Sequence, residues 1–116
     1  AEHFDPHGER RAALAEGLVF ARQLHLDPAQ ALDILRRSMA FSRIMDTKGA
    51  KMVAQDFKPQ AKLAQHLKDV RLMLAASTLH LPLSEAHREL LEKAVAMGLG
   101  EFDNSAIIIA IQEPSP

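Results

Sequence analysis

Lys68 is the residue with the clearest potential for chemistry, because it interrupts an otherwise apolar flank of a helical stretch. One apolar stripe of that stretch is formed by Leu63, Leu67, Val70 and Leu74. At 100° per residue, Lys68 lies about a quarter-turn away from the stripe. Its neighbours on that flank are Ala64, Leu72, Ala75 and Leu79. A lysine in this setting either extends into water, the commoner case, or meets a group that binds a cation.

The other residues capable of chemistry form no recognisable motif. His3 and His7 are four residues apart, but Pro6 disfavours a common helical face. The remaining histidines show neither HxxxH nor HExxH spacing. The glutamates between residues 85 and 92 alternate with basic residues, which indicates a solvated helix face. We therefore predict no metal site and no serine–histidine nucleophile.

Composition excludes several classes of protein. A chain of 116 residues is long enough for one modest domain, and its net charge of −1 gives no reason to expect nucleic acid or membrane as a partner. There is no run of about 18 apolar residues, and the first residues are polar and charged. The absence of cysteine excludes disulfides and fits a cytoplasmic protein. No GxGxxG or GxxxxGK[ST] loop is present to bind a nucleotide phosphate.

Helical periodicity continues along the whole chain, and no period-two alternation indicates a strand. We predict an all-α bundle of six helices: residues 9–25, a second helix opening at Asp27-Pro28, a third opening at Ser42, residues 60–79, a fifth from residue 84 to 97, and residues 105–112. Asp27 is a suitable N-cap, and Pro28 suits the first helical position. Gly98 and Gly100 can adopt the left-handed conformation that ends a helix.

Four isoleucines near the end of the chain suggest a buried helix. Ile107, Ile108, Ile109 and Ile111 make the last helix apolar nearly all round. Such a helix is buried either by a second subunit or domain, or locally within this chain. The sequence leaves both alternatives open.

Four short elements occur in an order that resembles one family. They are the loop Asp56-Phe57-Lys58-Pro59, the pair Lys68-Asp69, the connector Leu81-Pro82-Leu83 and the glycine-rich segment 98–106. Over residues 11–111 the chain resembles the C-terminal helical domain of the β-hydroxyacid dehydrogenases, such as 3-hydroxyisobutyrate dehydrogenase and tartronate semialdehyde reductase. The resemblance implies a bundle like the C-terminal domain of 6-phosphogluconate dehydrogenase. It also implies a non-matching segment 1–10, a helical domain 11–112 and a tail 113–116.

The resemblance implies the function of a parent enzyme. Members of the family bind NAD or NADP on an N-terminal Rossmann domain and oxidise a short 3-hydroxy acid or reduce its semialdehyde. Their acid/base lysine would lie just before residue 1, so this chain would contain no catalytic residue, bind no cofactor and be inactive alone. The helical domain closes the cleft and builds a homodimer. The alternative interpretation is a standalone, non-enzymatic helical module that binds another protein.

Particular residues acquire roles from the resemblance. Lys68 matches the family lysine that contacts the cofactor near the nicotinamide, and Asp69 is expected to have a structural role. Phe57, Ala61 and Phe41 match positions that line the substrate cleft. Many family members carry Gly-Phe where this chain has Gln60-Ala61, and Ser-Trp where it has Phe41-Ser42. These departures imply either a bulkier, more polar substrate or recognition by other residues.

Overall fold

The fold is all-α, as the helical periodicity predicts. The computed structural model describes residues 8–38 and 42–113, and within these ranges the chain contains no strand beyond a single bridge between Lys62 and Asp103. Six α-helices follow one another: α1 (Gly8–Gln23), α2 (Pro28–Arg36), α3 (Ala50–Ala54), α4 (Leu63–Ala76), α5 (Pro82–Ala96) and α6 (Ile107–Gln112). A π-helical turn (Met45–Gly49) precedes α3, and a 3-10 turn (Asn104–Ala106) precedes α6.

One aliphatic core holds the helices together. Helix α1 packs against α2, α5 and α6, and α4 packs against α5. The core contains fully buried side chains from five of the helices, including Leu18, Met52, Leu63, Leu91 and Ile107. No helix in the described part of the chain is long and apolar enough to cross a membrane.

The isoleucine-rich helix is buried by its own chain. Ile107 and Ile108 have almost no exposed surface, and Ile109 and Ile111 pack half-buried against the same core. Helix α6 lies against α1 and α5, which cover its inner faces. Of the two alternatives left open by the sequence, local burial is therefore the one that the structure contains.

Two helix ends lie where the sequence predicts them, whereas α5 begins at Pro82, two residues before its predicted start. The Asp27 carboxylate accepts a hydrogen bond from the amide of Ala29 at 3.1 Å, which opens α2 with Pro28 at its first position. After α5, Gly98 has a φ of +85°, a backbone conformation that residues other than glycine rarely adopt. Local chemistry thus determines the start of α2 and the end of α5.

The fourth helix is shorter than predicted, and tertiary hydrogen bonds are the reason. The expected span 60–79 is reduced to Leu63–Ala76. The residues before it are extended, because the amide of Leu63 donates to the Phe102 carbonyl and the amide of Ala64 donates to the Gly100 carbonyl. At the other end, the Ser77 hydroxyl bonds to Leu79, which turns the chain away from the helix axis.

The third helical segment begins directly after Ser42, as predicted, and is helical from residue 43 to residue 54. It differs from a regular α-helix only in its middle, where the π-helical turn separates residues 43–44 from the single α-helical turn of α3. At Gly49 a Cβ atom would lie 2.7 Å from Leu32 Cδ1, so the turn approaches α2 closely. Such close packing carries the side chain of the preceding residue, Lys48, into the interior.

Candidate functional site

A buried carboxylate joins three distant parts of the chain. Asp103 has no exposed surface, and Lys48 Nζ lies 3.0 Å from each of its two oxygens. Oδ1 also accepts hydrogen bonds from the amides of Gln60 (2.9 Å) and Ala61 (3.1 Å). Oδ2 accepts from both the amide and the hydroxyl of Ser105. We call Lys48, Gln60, Ala61, Asp103 and Ser105 the Asp103 cluster.

The Asp103 cluster keeps its carboxylate charged. Burial by itself raises the pKa of the Asp103 carboxyl. The hydrogen bonds that it accepts, with Ser105 contributing most, outweigh burial and hold the pKa well below its usual value. The lysine partner is buried as well, so each charge is compensated by the other and by hydrogen bonds.

Backbone hydrogen bonds extend from the cluster into the loop before α4. The amide of Asp103 donates to the Phe57 carbonyl at 2.9 Å, and the amide of Asn104 donates to the Ala61 carbonyl at 2.8 Å. Together with the bonds from Leu63 and Ala64, they align residues 57–64 with residues 100–104. The loop that carries two of the predicted cleft residues is therefore bound to the segment before α6.

The predicted cleft residues have different environments. Phe57 is half-buried and packs against the core, whereas Ala61 is exposed beside it in the loop. Gln60 is also exposed, and its Oε1 accepts a hydrogen bond from Lys48 at 3.3 Å. Phe41 lies outside the described residues. The structure thus brings two of the three predicted positions onto one loop.

Lys68 is exposed on α4, six residues after the end of that loop. The helix flank that it occupies also exposes Leu72, by 41%, and the chain just beyond the helix exposes Leu79, by 75%. The neighbouring Asp69 accepts a hydrogen bond from Gln65 at 3.4 Å. The lysine is therefore presented to the outside on a surface with apolar neighbours.

Two buried histidines lie elsewhere, under α1. The rings of His66 and His87 are 5.0 Å apart and tilted by 53°, and Arg11 Nη1 lies 3.2 Å from His66 Nε2. Within residues 8–38 and 42–113, no three His, Asp or Glu side chains gather as metal ligands would. These histidines have a packing role: the Cβ of any residue replacing Gly8 would meet His87 at 2.7 Å.

Sequence reasoning missed the Asp103 cluster. The sequence offers Asp103 or Asn104 as the cap of the last helix. In the structure Asp103 has this role, since its carboxylate accepts a hydrogen bond from the Ser105 amide at the start of the 3-10 turn. The partner Lys48 is 55 residues away in sequence and lies in a polar run that resembles surface. No local spacing rule links such a pair.

The cluster predicts a defined dependence of stability on pH. The Asp103→Asn variant leaves Lys48 buried without its counter-charge, which we expect to lower the free energy of unfolding by about 3–5 kcal/mol at pH 7. Because the folded-state pKa is depressed, this contribution is complete above the unfolded value of 3.8 and is lost only as pH falls through the lower folded pKa. Urea unfolding of both proteins between pH 2 and 7 measures the difference.

A nearby exposed ion pair provides the control for this prediction. Lys62 and Glu101 lie 2.8 Å apart in solvent, so Glu101→Gln should change the free energy of unfolding little. A cost for Asp103→Asn as small as that of the control would contradict the account, as would a difference that disappears already near pH 6.

Comparisons with known proteins agree with this architecture. The sequence profile of the family described as NAD-binding of NADP-dependent 3-hydroxyisobutyrate dehydrogenase matches residues 8–111. The chain is 33% identical over 103 residues to 2-hydroxy-3-oxopropionate reductase of Escherichia coli, covering 86% of this chain and 35% of that protein. It is also 33% identical over 108 residues to glyoxylate/succinic semialdehyde reductase 1 of Arabidopsis thaliana, covering 90% and 37%.

Solved structures share the fold. A 3-hydroxyisobutyrate dehydrogenase from Salmonella typhimurium matches with a TM-score of 0.84 at 23% identity, over 88% of this chain and 37% of that one. The chain thus spans about a third of the length of these relatives. The profile match covers nearly all of the described residues and confirms the resemblance read from the sequence: the chain belongs to the 3-hydroxyisobutyrate dehydrogenase family of β-hydroxyacid dehydrogenases.

Proposed function

We propose that this chain is the cleft-closing domain of an NAD(P)-dependent enzyme that oxidises a short 3-hydroxy acid or reduces the matching semialdehyde. The observation that carries the proposal is Lys68, an exposed cation on a surface with exposed apolar neighbours. The relatives named above are reductases of small oxo acids and semialdehydes. An upstream Rossmann domain would cover the Lys68 surface, and its bound coenzyme would meet the ammonium group.

The chemistry of the lysine suits this role. The coenzyme supplies hydride transfer between its nicotinamide and the substrate carbon. An ammonium group on a flexible stem stabilises negative charge on a phosphorylated coenzyme or a carboxylate substrate. The acid/base lysine of the family would come from upstream of residue 1. The domain alone would therefore be inactive and bind no coenzyme. In the whole enzyme it would contribute one contact to the coenzyme and close the cleft.

The loop before α4 would contact the substrate. Ala61 replaces an aromatic residue that many family members carry, and its exposed methyl group leaves more room than a phenyl ring. Gln60 adds an exposed amide next to it. A substrate larger and more polar than hydroxyisobutyrate fits this combination. The remaining predicted cleft residue, Phe41, stays a proposal from the family resemblance.

A second copy of the chain is the proposed partner on another surface. Phe20 and Ile34 are exposed by 60% and 68%, and Ile34 lines a groove of 340 Å³ between α1 and α2 together with Leu26. Since α6 is buried within its own chain, we propose this surface, and not the isoleucine-rich helix, as the interface of a homodimer. We place the dimer in the cytoplasm, with neither nucleic acid nor membrane as a partner.

A non-enzymatic role is the second candidate. The chain is 31% identical over 105 residues to the cytokine-like nuclear factor N-PAC of Aedes aegypti, of which it covers 19%. Similar domains therefore occur in proteins whose names denote no reductase. A module of this kind would bind a protein on the apolar surface, and substitution of Lys68 would leave its function unchanged.

The proposed function predicts an effect of Lys68 on coenzyme binding. In the full-length protein, Lys68→Ala should weaken NAD(P)H binding about tenfold or more, because loss of one charge-assisted contact costs on the order of 1.5–3 kcal/mol. Titration of coenzyme fluorescence measures the dissociation constant. Lys93→Ala is the matched control, since its ammonium group bonds to the Glu113 carbonyl at the end of α6. Equal binding by both variants would contradict the proposal.

The proposed homodimer predicts a mass in solution. Light scattering across a tenfold dilution should give the mass of a dimer, because exposed apolar side chains gain free energy when a partner covers them. The double variant Phe20→Ser/Ile34→Ser should shift the mass towards the monomer. A dimer that resists this double substitution would place the interface elsewhere, and a wild-type monomer would remove the homodimer from the account.

A further inference from the structure

We propose that Lys48 and Asp103 are positioning residues for the candidate site: through the backbone of Gln60 and Ala61 they hold these two side chains outward as specificity-determining positions. The inference rests on the proposed function, because it concerns the same cleft. It assigns a role to a buried pair that contacts neither substrate nor coenzyme. It also separates the residues that shape the loop from those that would meet the substrate.

The first argument is the division between backbone and side chain. Both amides point inward and donate to Asp103 Oδ1, at 2.9 and 3.1 Å. Both residues are nevertheless exposed, so their side chains lie outside the core. Any residue other than proline supplies the same amide. The two backbone bonds to Asp103 can therefore form whichever side chains, other than proline, stand at positions 60 and 61, and the Gln60 side chain adds one further bond from Lys48.

The second argument is the geometry of the lysine. Lys48 Nζ lies at 3.0 Å from both oxygens of Asp103 and donates to Gln60 Oε1 at 3.3 Å. It thus connects the π-helical turn to the carboxylate and to the loop at one point. The π-helical turn is itself held against α2, because Gly49 lies close to the Leu32 side chain. Movement of the loop would take two amide hydrogen bonds away from a buried carboxylate, which is costly.

The third argument is the position of the attachment. The other end of the loop is held by the half-buried Phe57, whose carbonyl accepts from the Asp103 amide. Residues 60 and 61 lie between this point and the start of α4. Their amides point inward and donate to the Asp103 carboxylate. Loss of the pair should release this part of the loop first and leave the distant core amides less affected.

Hydrogen exchange on the chain itself tests the positioning role. Lys48→Met should accelerate amide exchange of Gln60 and Ala61 about tenfold or more beyond any acceleration at core residues such as Leu18 and Leu91. The conservative Lys48→Arg should restore much of the protection, because arginine retains the charge and can donate to both oxygens. Lys62→Met, which breaks the exposed ion pair with Glu101, is the control and should change neither amide.

The outcomes of the exchange experiment separate positioning from a general loss of stability. Acceleration of equal size at the loop and the core would overturn the positioning role, and so would unchanged exchange at the loop. Because this measurement involves no coenzyme, it can succeed even when Lys68→Ala shows that the proposed function is wrong.

Enzyme kinetics of the full-length protein test the specificity role. Ala61→Phe should change KM for bulky relative to small 3-hydroxy acids by about tenfold, with little change in kcat and with normal exchange at the loop. Lys48→Met should raise KM for both substrates, since the loop is no longer held. Identical KM ratios for the wild type and Ala61→Phe would overturn the specificity role. A changed loop exchange in Ala61→Phe would overturn the separation of backbone and side chain.

Discussion

A buried carboxylate needs donors on every side, and this requirement organises the region between the π-helical turn and α6. Asp103 obtains them from Lys48, from two loop amides and from Ser105. Each donor comes from a segment that could otherwise adopt several conformations. Since an unpaired buried charge costs several kcal/mol, these segments adopt the one arrangement that satisfies it. This requirement fixes the position of the loop before α4. The position of the helix that carries Lys68 follows from that of the loop.

The sequence predicts those features of the fold that depend on local chemistry. All six helices follow from periodicity, Asp27 and Gly98 mark ends that the structure retains, and the exposed Lys68 follows from its angle on α4. The late start of α4 and the π-helical turn were not predictable. Both depend on contacts between residues remote in sequence, such as Leu63 with Phe102 and Gly49 with Leu32. Periodicity carries no information about such contacts.

The same distinction applies to the candidate site. The assignment of Phe57, Ala61 and Lys68 to a cleft comes from the resemblance to a family and stays a proposal. Lys48 lies inside a polar run and gives no sign of burial, so the pair with Asp103 becomes visible only in three dimensions. Outside the core, the described residues expose apolar side chains in several places, and two of these surfaces concern the proposal: one around Lys68 and Leu72, and one around Phe20 and Ile34. A cleft-closing domain with two partners accounts for both.

The most direct test of this account is a crystal structure of the full-length protein with bound NADPH or NADH and a substrate analogue. The account predicts Lys68 Nζ within hydrogen-bonding distance of the coenzyme or the analogue, at about 2.7–3.2 Å. It also predicts the loop at residues 60 and 61 beside the analogue, with the Asp103 cluster intact behind it. A coenzyme bound far from α4, with Lys68 in open solvent, would contradict the account.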